Sequence, residues 1–142
     1  MSKMNEEDPI IMYLVVRENL HMSIGKTAAQ VAHAAQRLQQ KYQEVNDEIN
    51  SYLGYDSGEL DSVPENLRDK SHIFYQWLQT SVTKIVLKAD EKEWAKLKEM
   101  PDIVRIADAG HTELAPGTET VVGFWPILKS QRPKVLKRLQ VL

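Results

Sequence analysis

The sequence contains no cysteine among its 142 residues. That absence excludes disulfide bonds, thiolate nucleophiles and cysteine-type zinc sites, and it fits a reducing compartment. No apolar run approaches the roughly 20 residues that a membrane span needs. The polar, acidic start over residues 1–8 lacks the basic and then apolar layout of a signal peptide. We therefore expect a cytoplasmic protein that does not engage a membrane.

A strong charge of either sign is also missing. The formal net charge is −2 and the sequence pI is about 6.1, which argues against non-specific nucleic-acid binding by bulk charge but leaves room for a local basic patch. With 42 % hydrophobic and 27 % charged residues, the composition is that of an ordinary globular protein. A chain of this length suits one domain with a real core. We predict a single domain over residues 1–142, with a disordered tail over residues 1–8.

Apolar runs and helical periodicity predict an α/β protein. The continuous apolar run over residues 10–16 needs cover on both faces, as in the central strand of an α/β sheet. Apolar residues at three- and four-residue steps from Ala28 to Ile49 predict a long helix, and five alanines between residues 28 and 35 would let it approach the sheet. The remaining predicted elements are a helix at 71–79, a strand at 83–88, a helix at 91–100, strands at 103–107 and 120–125, and a basic helix at 130–139.

An acidic segment separates the long helix from the next one. Residues 53–69 combine several carboxylates with Gly54, Gly58 and Pro64. Such a composition is typical of segments that bury little apolar surface. We interpret residues 53–69 as a mobile acidic insert on the surface.

Lys26 stands in the first turn of the long helix, directly after Gly25. Helix N-termini favour anions, and a lysine there adds a full positive charge, so this is either a phosphate or oxyanion site or a solvated lysine. Gln30, His33 and Arg37 follow at helical steps and form one polar stripe with Lys26. The stripe is either part of a site or simply the solvent-facing side of the helix.

His33 has two open interpretations, a hydrogen-bonded structural residue or a base. No second histidine stands at metal-ligand spacing from it, so we expect no metal and no cofactor. The sequence also lacks a Gly-x-Ser-x-Gly nucleophile motif. If the protein is a hydrolase, water is therefore the expected nucleophile.

A polar loop that begins at Asp108 lies between the last two predicted strands, where α/β proteins keep much of their chemistry. Asp108 could cap this loop, its carboxylate accepting backbone N–H bonds. Alternatively, Asp108 orients or deprotonates a water while backbone N–H groups and Thr112 bind a developing oxyanion. His111 is the other titratable group there and would carry charge only under mildly acidic conditions.

Both segments resemble motifs of the type 2 peptidyl-tRNA hydrolase family of archaea and eukaryotes. The first family pattern reads Val-Arg, Met-Gly-Lys-Gly-Lys, Ala-Ala-Gln and His-Ala, and its places here are Val16-Arg17, Met22-Ser23-Ile24-Gly25-Lys26, Ala28-Ala29-Gln30 and His33-Ala34. The second reads Asp-Ala-Gly-Arg/Lys-Thr-Gln, Pro-Gly-Ser/Thr and Thr-Val/Cys-Leu-Gly, and its places are Asp108-Ala109-Gly110-His111-Thr112-Glu113, Pro116-Gly117-Thr118 and Thr120-Val121-Val122-Gly123. The two motifs agree in order and spacing over nearly the whole chain.

This resemblance implies a three-layer α/β/α sandwich on a four-stranded mixed sheet. It implies a homodimer that hydrolyses the ester joining a peptide to the 3′ end of tRNA. The matching positions for the catalytic centre are Lys26, Asp108 and Thr112. The positions expected to bind the acceptor end of the tRNA are Arg17, Gln30, His33, Lys88, Gly110, His111 and Thr120.

Several positions depart from the family pattern. Ile24 and His111 replace cationic motif residues, and Glu113 replaces a glutamine, so each change removes positive charge or adds negative charge near the expected tRNA site. Each lost phosphate contact should weaken tRNA binding. Two alternatives therefore stay open: a non-catalytic binding protein on the same fold, and a hydrolase of another aminoacyl or peptidyl ester.

Overall fold

The computed structural model describes residues 7–55, 60–110 and 113–142 and contains strands and helices in the order β-α-α-β-α-β-β-β-α-β. The strands are β1 (Ile10–Arg17), β2 (Lys84–Ala89), β3 (Ile103–Ala107), β4 (Glu119–Phe124), β5 (Ile127–Leu128) and β6 (Gln140–Val141). The helices are α1 (Ile24–Tyr55), α2 (Glu65–Gln79), α3 (Glu91–Leu97) and α4 (Lys134–Arg138). Short 3₁₀ turns occupy Glu18–Leu20, Leu60–Ser62 and Lys129–Gln131. None of the described helices is both long and apolar enough to cross a membrane.

The sheet is mixed and has six strands rather than the four predicted. Its order is β3-β4-β1-β2-β6, with β5 paired to β1. Strands β1 and β2 are parallel, as the β-α-β order predicts, whereas β4 is antiparallel to both β1 and β3. The four predicted strands are confirmed. The two additional ones, β5 and β6, have two residues each, too few to produce a periodic signal in the sequence.

Strand β1 is covered on both faces, as its continuous apolar run predicts. Leu14 belongs to a core that also contains Leu38 of α1 and Phe74 of α2. Its neighbour Val15 belongs to a second core, with Trp94 of α3 and residues of α4. Successive residues of a strand point to opposite faces, so one strand supports both cores.

The buried face of α1 follows its apolar periodicity over most of the helix. Ala34 and Leu38 are fully buried, and Val31, Ala35, Tyr42 and Val45 pack against the same core. The first turns differ from the prediction: Ala28, Ala29 and Ala32 are exposed, and Gln30 is buried. A buried glutamine carries no hydrophobic signal, so the apolar pattern does not reveal its burial. Close approach to the sheet is provided by Gly123 of β4, where a Cβ would lie 3.0 Å from Leu38 Cδ1.

The described part of segment 53–69 is mostly helical. Residues 53–55 end α1, and α2 begins at Glu65, six residues earlier than predicted. Val63 is only 2 % exposed, and its carbonyl accepts a hydrogen bond from Arg68 Nε at 3.2 Å. Acidic residues are favourable in the first turn of a helix. The acidic composition that indicates a surface insert is therefore equally compatible with the start of α2. Residues 56–59 lie outside the described residues.

Three further predictions concern the start of α3, the basic helix at 130–139 and the N-terminal tail, and only the first is confirmed. Asp90 and Glu93 form the predicted capping box of α3, with N–H to carboxylate distances of 2.8 and 2.9 Å. The predicted basic helix at 130–139 is wrong: it is a 3₁₀ turn followed by the five-residue α4, because Pro133 interrupts it. Residues 1–6 of the predicted tail lie outside the described residues, whereas the Asp8 carboxylate accepts hydrogen bonds from the Ser130 backbone and hydroxyl at 2.8 and 2.6 Å.

Candidate active site

One edge of the sheet gathers most of the predicted site residues. Strands β1 and β3 are both antiparallel to β4 and therefore run in the same direction, as does β2. Their carboxyl ends lie together with the start of β4, and α1 begins shortly after β1 ends. Ligands of open α/β sheets bind at this edge.

Lys26 and Asp108 form a buried ion pair. The Lys26 Nζ contacts Asp108 Oδ1, and the two side chains are only 13 % and 3 % exposed. A buried ion pair is tolerated only when further hydrogen bonds compensate for lost hydration. Here the Gly110 N–H donates to Asp108 Oδ2 at 2.8 Å. Asp108 therefore both caps its loop and pairs with Lys26.

Backbone contacts hold the segment around Asp108. The Asp108 N–H donates to the Thr118 carbonyl, and the Gly117 N–H donates to the Asp108 carbonyl, both at 2.8 Å. Gly110 has a φ of 84°, and a Cβ there would lie 2.5 Å from Pro116 Cγ. Only glycine fits that conformation and that close approach.

Two predicted site residues, His111 and Thr112, lie outside the described residues. Their assigned roles, the catalytic role of Thr112 and the substrate contact of His111, therefore stay predictions.

Ser23 caps α1 and connects it to the loop that follows Asp108. The Ser23 Oγ accepts a hydrogen bond from the Lys26 N–H at 3.2 Å. The Glu113 carboxylate accepts two hydrogen bonds from Ser23, one from its N–H at 3.0 Å and one from its hydroxyl at 2.5 Å. These bonds lower the pKa of Glu113 below its ordinary value. Sequence analysis missed this contact, although a serine just before a helix is a common N-cap signal.

Gln30 lies inside the molecule rather than on a solvent-facing stripe. It is 4 % exposed, and its Oε1 accepts a hydrogen bond from the fully buried Thr120 Oγ1 at 2.6 Å. The other two members of the predicted stripe are not buried with Gln30: His33 is exposed, and Arg37 pairs with Glu44 at 3.2 Å. The stripe is therefore divided, with Lys26 and Gln30 turned toward the sheet.

The two cations predicted to bind tRNA at this edge are engaged with carboxylates. Arg17 donates to both oxygens of Glu91 at 2.8 and 2.7 Å, and these bonds lower the pKa of Glu91 and raise that of Arg17. Lys88 pairs with Glu18 at 3.3 Å. A phosphate that approaches either cation must therefore compete with a carboxylate already in place.

An apolar groove of about 690 Å³ lies on the other side of the α1 N-terminus, against β2 and β6. Ile24, one of the family departures, borders it and is 91 % exposed. Val141 and Leu142 also border the groove and are exposed. Among residues 7–55, 60–110 and 113–142, no group of three His, Cys, Asp or Glu side chains is placed to hold a metal ion.

Together, the mixed sheet and the lysine–carboxylate pair at its carboxyl edge define an α/β protein with a charged site at a helix start. A family model described as peptidyl-tRNA hydrolase PTH2 matches residues 10–142 of the chain. The chain is 36 % identical over 138 residues to a peptidyl-tRNA hydrolase of Sulfurisphaera tokodaii, covering 92 % of this chain and 97 % of that protein. It is 33 % identical over 120 residues to one of Staphylothermus marinus, covering 80 % and 78 %.

A human relative, mitochondrial peptidyl-tRNA hydrolase 2, is 34 % identical over 122 residues, covering 81 % of this chain but 54 % of the human protein. The chain belongs to the peptidyl-tRNA hydrolase PTH2 family. The resemblance that the two motifs indicate is thereby confirmed.

Proposed function

We propose that this protein hydrolyses the ester bond of peptidyl-tRNA and releases free tRNA and peptide. Family membership over residues 10–142 supports this function. The structural observation that carries it is the buried Lys26–Asp108 pair at the start of α1. A protein that served only as a scaffold would gain little from burying two charges there, since burial removes their hydration.

The reaction uses water as the nucleophile and needs no cofactor. Asp108 orients the water and accepts its proton as the water oxygen bonds to the ester carbonyl carbon. Lys26, the first turn of α1, Thr112 and nearby backbone N–H groups stabilise the negative charge on the carbonyl oxygen. The bond from that carbon to the ribose oxygen then breaks, and the proton passes to the ribose oxygen of the released tRNA.

The acceptor end of the tRNA lies over the same edge of the sheet. Gln30 and Thr120 shape its floor, because their mutual hydrogen bond is buried next to the Lys26 turn. His33 and Lys88 supply polar and cationic contacts, and Arg17 contributes once its pairing with Glu91 loosens. Gly110 and His111 contact the substrate from the loop after β3.

The proposal includes three wider features. The two cores on opposite faces of β1 support a three-layer α/β/α sandwich. The protein is a homodimer, and the exposed apolar side chains around the 690 Å³ groove support an association surface. It acts in the cytoplasm. Sedimentation equilibrium of the purified chain tests this assembly. A homodimer predicts a mass near twice 16.3 kDa.

A second candidate is hydrolysis of a different aminoacyl or peptidyl ester. The observation that favours it is that Arg17 and Lys88 are both paired with carboxylates. Phosphate contacts supply much of the affinity for nucleic acids, so occupied cations favour a smaller substrate.

One experiment separates the two candidates. Purified protein is incubated with N-acetyl-aminoacyl-tRNA and, in parallel, with the methyl ester of the same N-acetyl amino acid. The proposal predicts release of free tRNA and little cleavage of the methyl ester. Cleavage of both esters at similar kcat/KM would favour the second candidate, and cleavage of neither would favour a binding protein.

A further inference from the structure

Ser23 and Glu113 lie in two distant segments of the chain and contact each other. Ser23 stands directly before α1, and Glu113 lies in the loop between β3 and β4. The two are 90 residues apart in sequence, and two hydrogen bonds join them, at 3.0 and 2.5 Å. This contact therefore connects the start of α1 to the loop that follows Asp108.

The contact completes a capping box with a carboxylate from outside the helix. In α3 the box is local: Asp90 caps the helix, and Glu93 at the third helical position accepts the N-cap N–H. In α1 the third helical position is Lys26, which has no acceptor atom and pairs with Asp108 instead. Glu113 supplies the missing acceptor for the Ser23 N–H.

We propose that Glu113 is a positioning residue that holds Lys26 and Asp108 together. On one side, Glu113 fixes Ser23, whose hydroxyl accepts the Lys26 N–H. On the other side, the residues that follow Glu113 bind the Asp108 backbone through Gly117 and Thr118. The backbones of both partners of the ion pair are therefore connected through one carboxylate.

The electrostatic interactions of Glu113 support its connection to both Lys26 and Asp108. The two Ser23 hydrogen bonds lower the pKa of Glu113, Lys26 lowers it further, and Asp108 acts in the opposite direction. Glu113 therefore stays ionised at neutral pH and responds to both partners of the pair. A carboxylate at the start of a helix also interacts favourably with the helix dipole.

The test combines hydrogen exchange with kinetics on four variants: Glu113→Ala, Glu113→Gln, Ser23→Ala and the double variant Ser23→Ala/Glu113→Ala. Amide exchange at Lys26 and Gly117 is measured by NMR, since those amides belong to the two ends of the connection. Glu48→Ala is the matched control, because it removes an exposed carboxylate of α1 far from the site. Circular dichroism verifies that each variant is folded.

We expect Glu113→Ala to accelerate exchange at both amides about tenfold, as loss of a hydrogen-bonded charge would. On N-acetyl-aminoacyl-tRNA, kcat should fall about tenfold with little change in KM, because substrate binding is retained while the pair is misplaced. Glu113→Gln should be intermediate, since its amide oxygen still accepts the Ser23 N–H. In kcat, the double variant should lose less than the two single effects combined, because both changes weaken the same Ser23–Glu113 contact. Exchange at the Lys26 amide should rise further in the double variant than in Glu113→Ala, because Ser23→Ala also removes the hydroxyl that accepts this N–H.

Unchanged exchange and unchanged kcat in Glu113→Ala would overturn the proposal, as would strictly additive effects of the two single changes on kcat. The kinetic part rests on the proposed function, whereas the exchange part does not. If the wild-type protein released no tRNA but exchange still responded to Glu113→Ala, the function would be wrong and the positioning role would stand.

Discussion

At the scale of single residues, the burial of the Lys26–Asp108 pair has a consequence for stability. Both residues stand at the ends of elements, where little burial would be expected from the sequence, yet their side chains are 13 % and 3 % exposed. Removal of one partner leaves the other charge poorly hydrated, so Asp108→Asn should lower the free energy of unfolding by roughly 3 kcal/mol. The double variant Lys26→Met/Asp108→Asn should lose less than either single change. Urea unfolding at pH 7 measures the free energy of unfolding of Asp108→Asn, Lys26→Met and the double variant. Strictly additive losses would contradict the pairing.

Gly110 gives a second prediction at this scale. Alanine there would adopt a φ of 84° and place its Cβ 2.5 Å from Pro116 Cγ, whereas at Gly117, with a φ of 83°, the space around a Cβ is open. Gly117→Ala should therefore cost about 1 kcal/mol for backbone strain alone. Gly110→Ala should cost clearly more. Equal unfolding free energies for the two variants would show that the contact with Pro116 relaxes easily.

At the scale of elements, residues 60–64 distinguish packed structure from the mobile insert that the sequence predicts. A mobile insert would tolerate any change, but Val63 is 2 % exposed, whereas Leu60 is 56 % exposed. Val63→Ala should lower the free energy of unfolding by about 1–3 kcal/mol. Leu60→Ala, the control, should change it by less than about 0.5 kcal/mol. If Val63→Ala matched Leu60→Ala, the result would favour the surface-insert interpretation.

The elements with a strong period could be predicted from the sequence, and those defined by contacts could not. The apolar run of β1 and the spacing along α1 identify both elements, and the Asp90–Glu93 pair identifies the start of α3. The burial of Gln30 on α1 could not be predicted, because this side chain is hydrogen-bonded to Thr120, 90 residues away.

The same limit applies to the candidate site. Motif residues indicate Lys26 and Asp108, and the structure brings them into contact. The Ser23–Glu113 contact could not be predicted, because the two residues lie in different segments. From the sequence, Ser23 is an N-cap residue and Glu113 is a polar loop residue. Contacts between distant segments leave no periodic trace in either segment.

At the scale of the whole molecule, the distribution of charge should control tRNA binding. Ile24 is 91 % exposed, and the motif resemblance implies a cationic residue at the positions of both Ile24 and His111. The double variant Ile24→Lys/His111→Arg should bind tRNA more tightly and steepen the fall of affinity with salt by about one unit of log–log slope per phosphate contact regained. Turnover at saturating substrate should change much less, since uniform binding lowers KM without raising kcat. Equal slopes for wild type and variant would mean that these two positions do not face tRNA.

The most direct measurement is the rate of tRNA release from N-acetyl-aminoacyl-tRNA by the wild-type protein, Lys26→Ala and Asp108→Asn. Lys96→Ala, which removes an exposed lysine of α3, is the control. The proposed mechanism predicts that wild type and control release tRNA at the same rate, and that each site variant loses on the order of a hundredfold or more in kcat while circular dichroism shows it folded. Near wild-type kcat in either folded site variant would contradict the assignment of Lys26 and Asp108 as the catalytic centre.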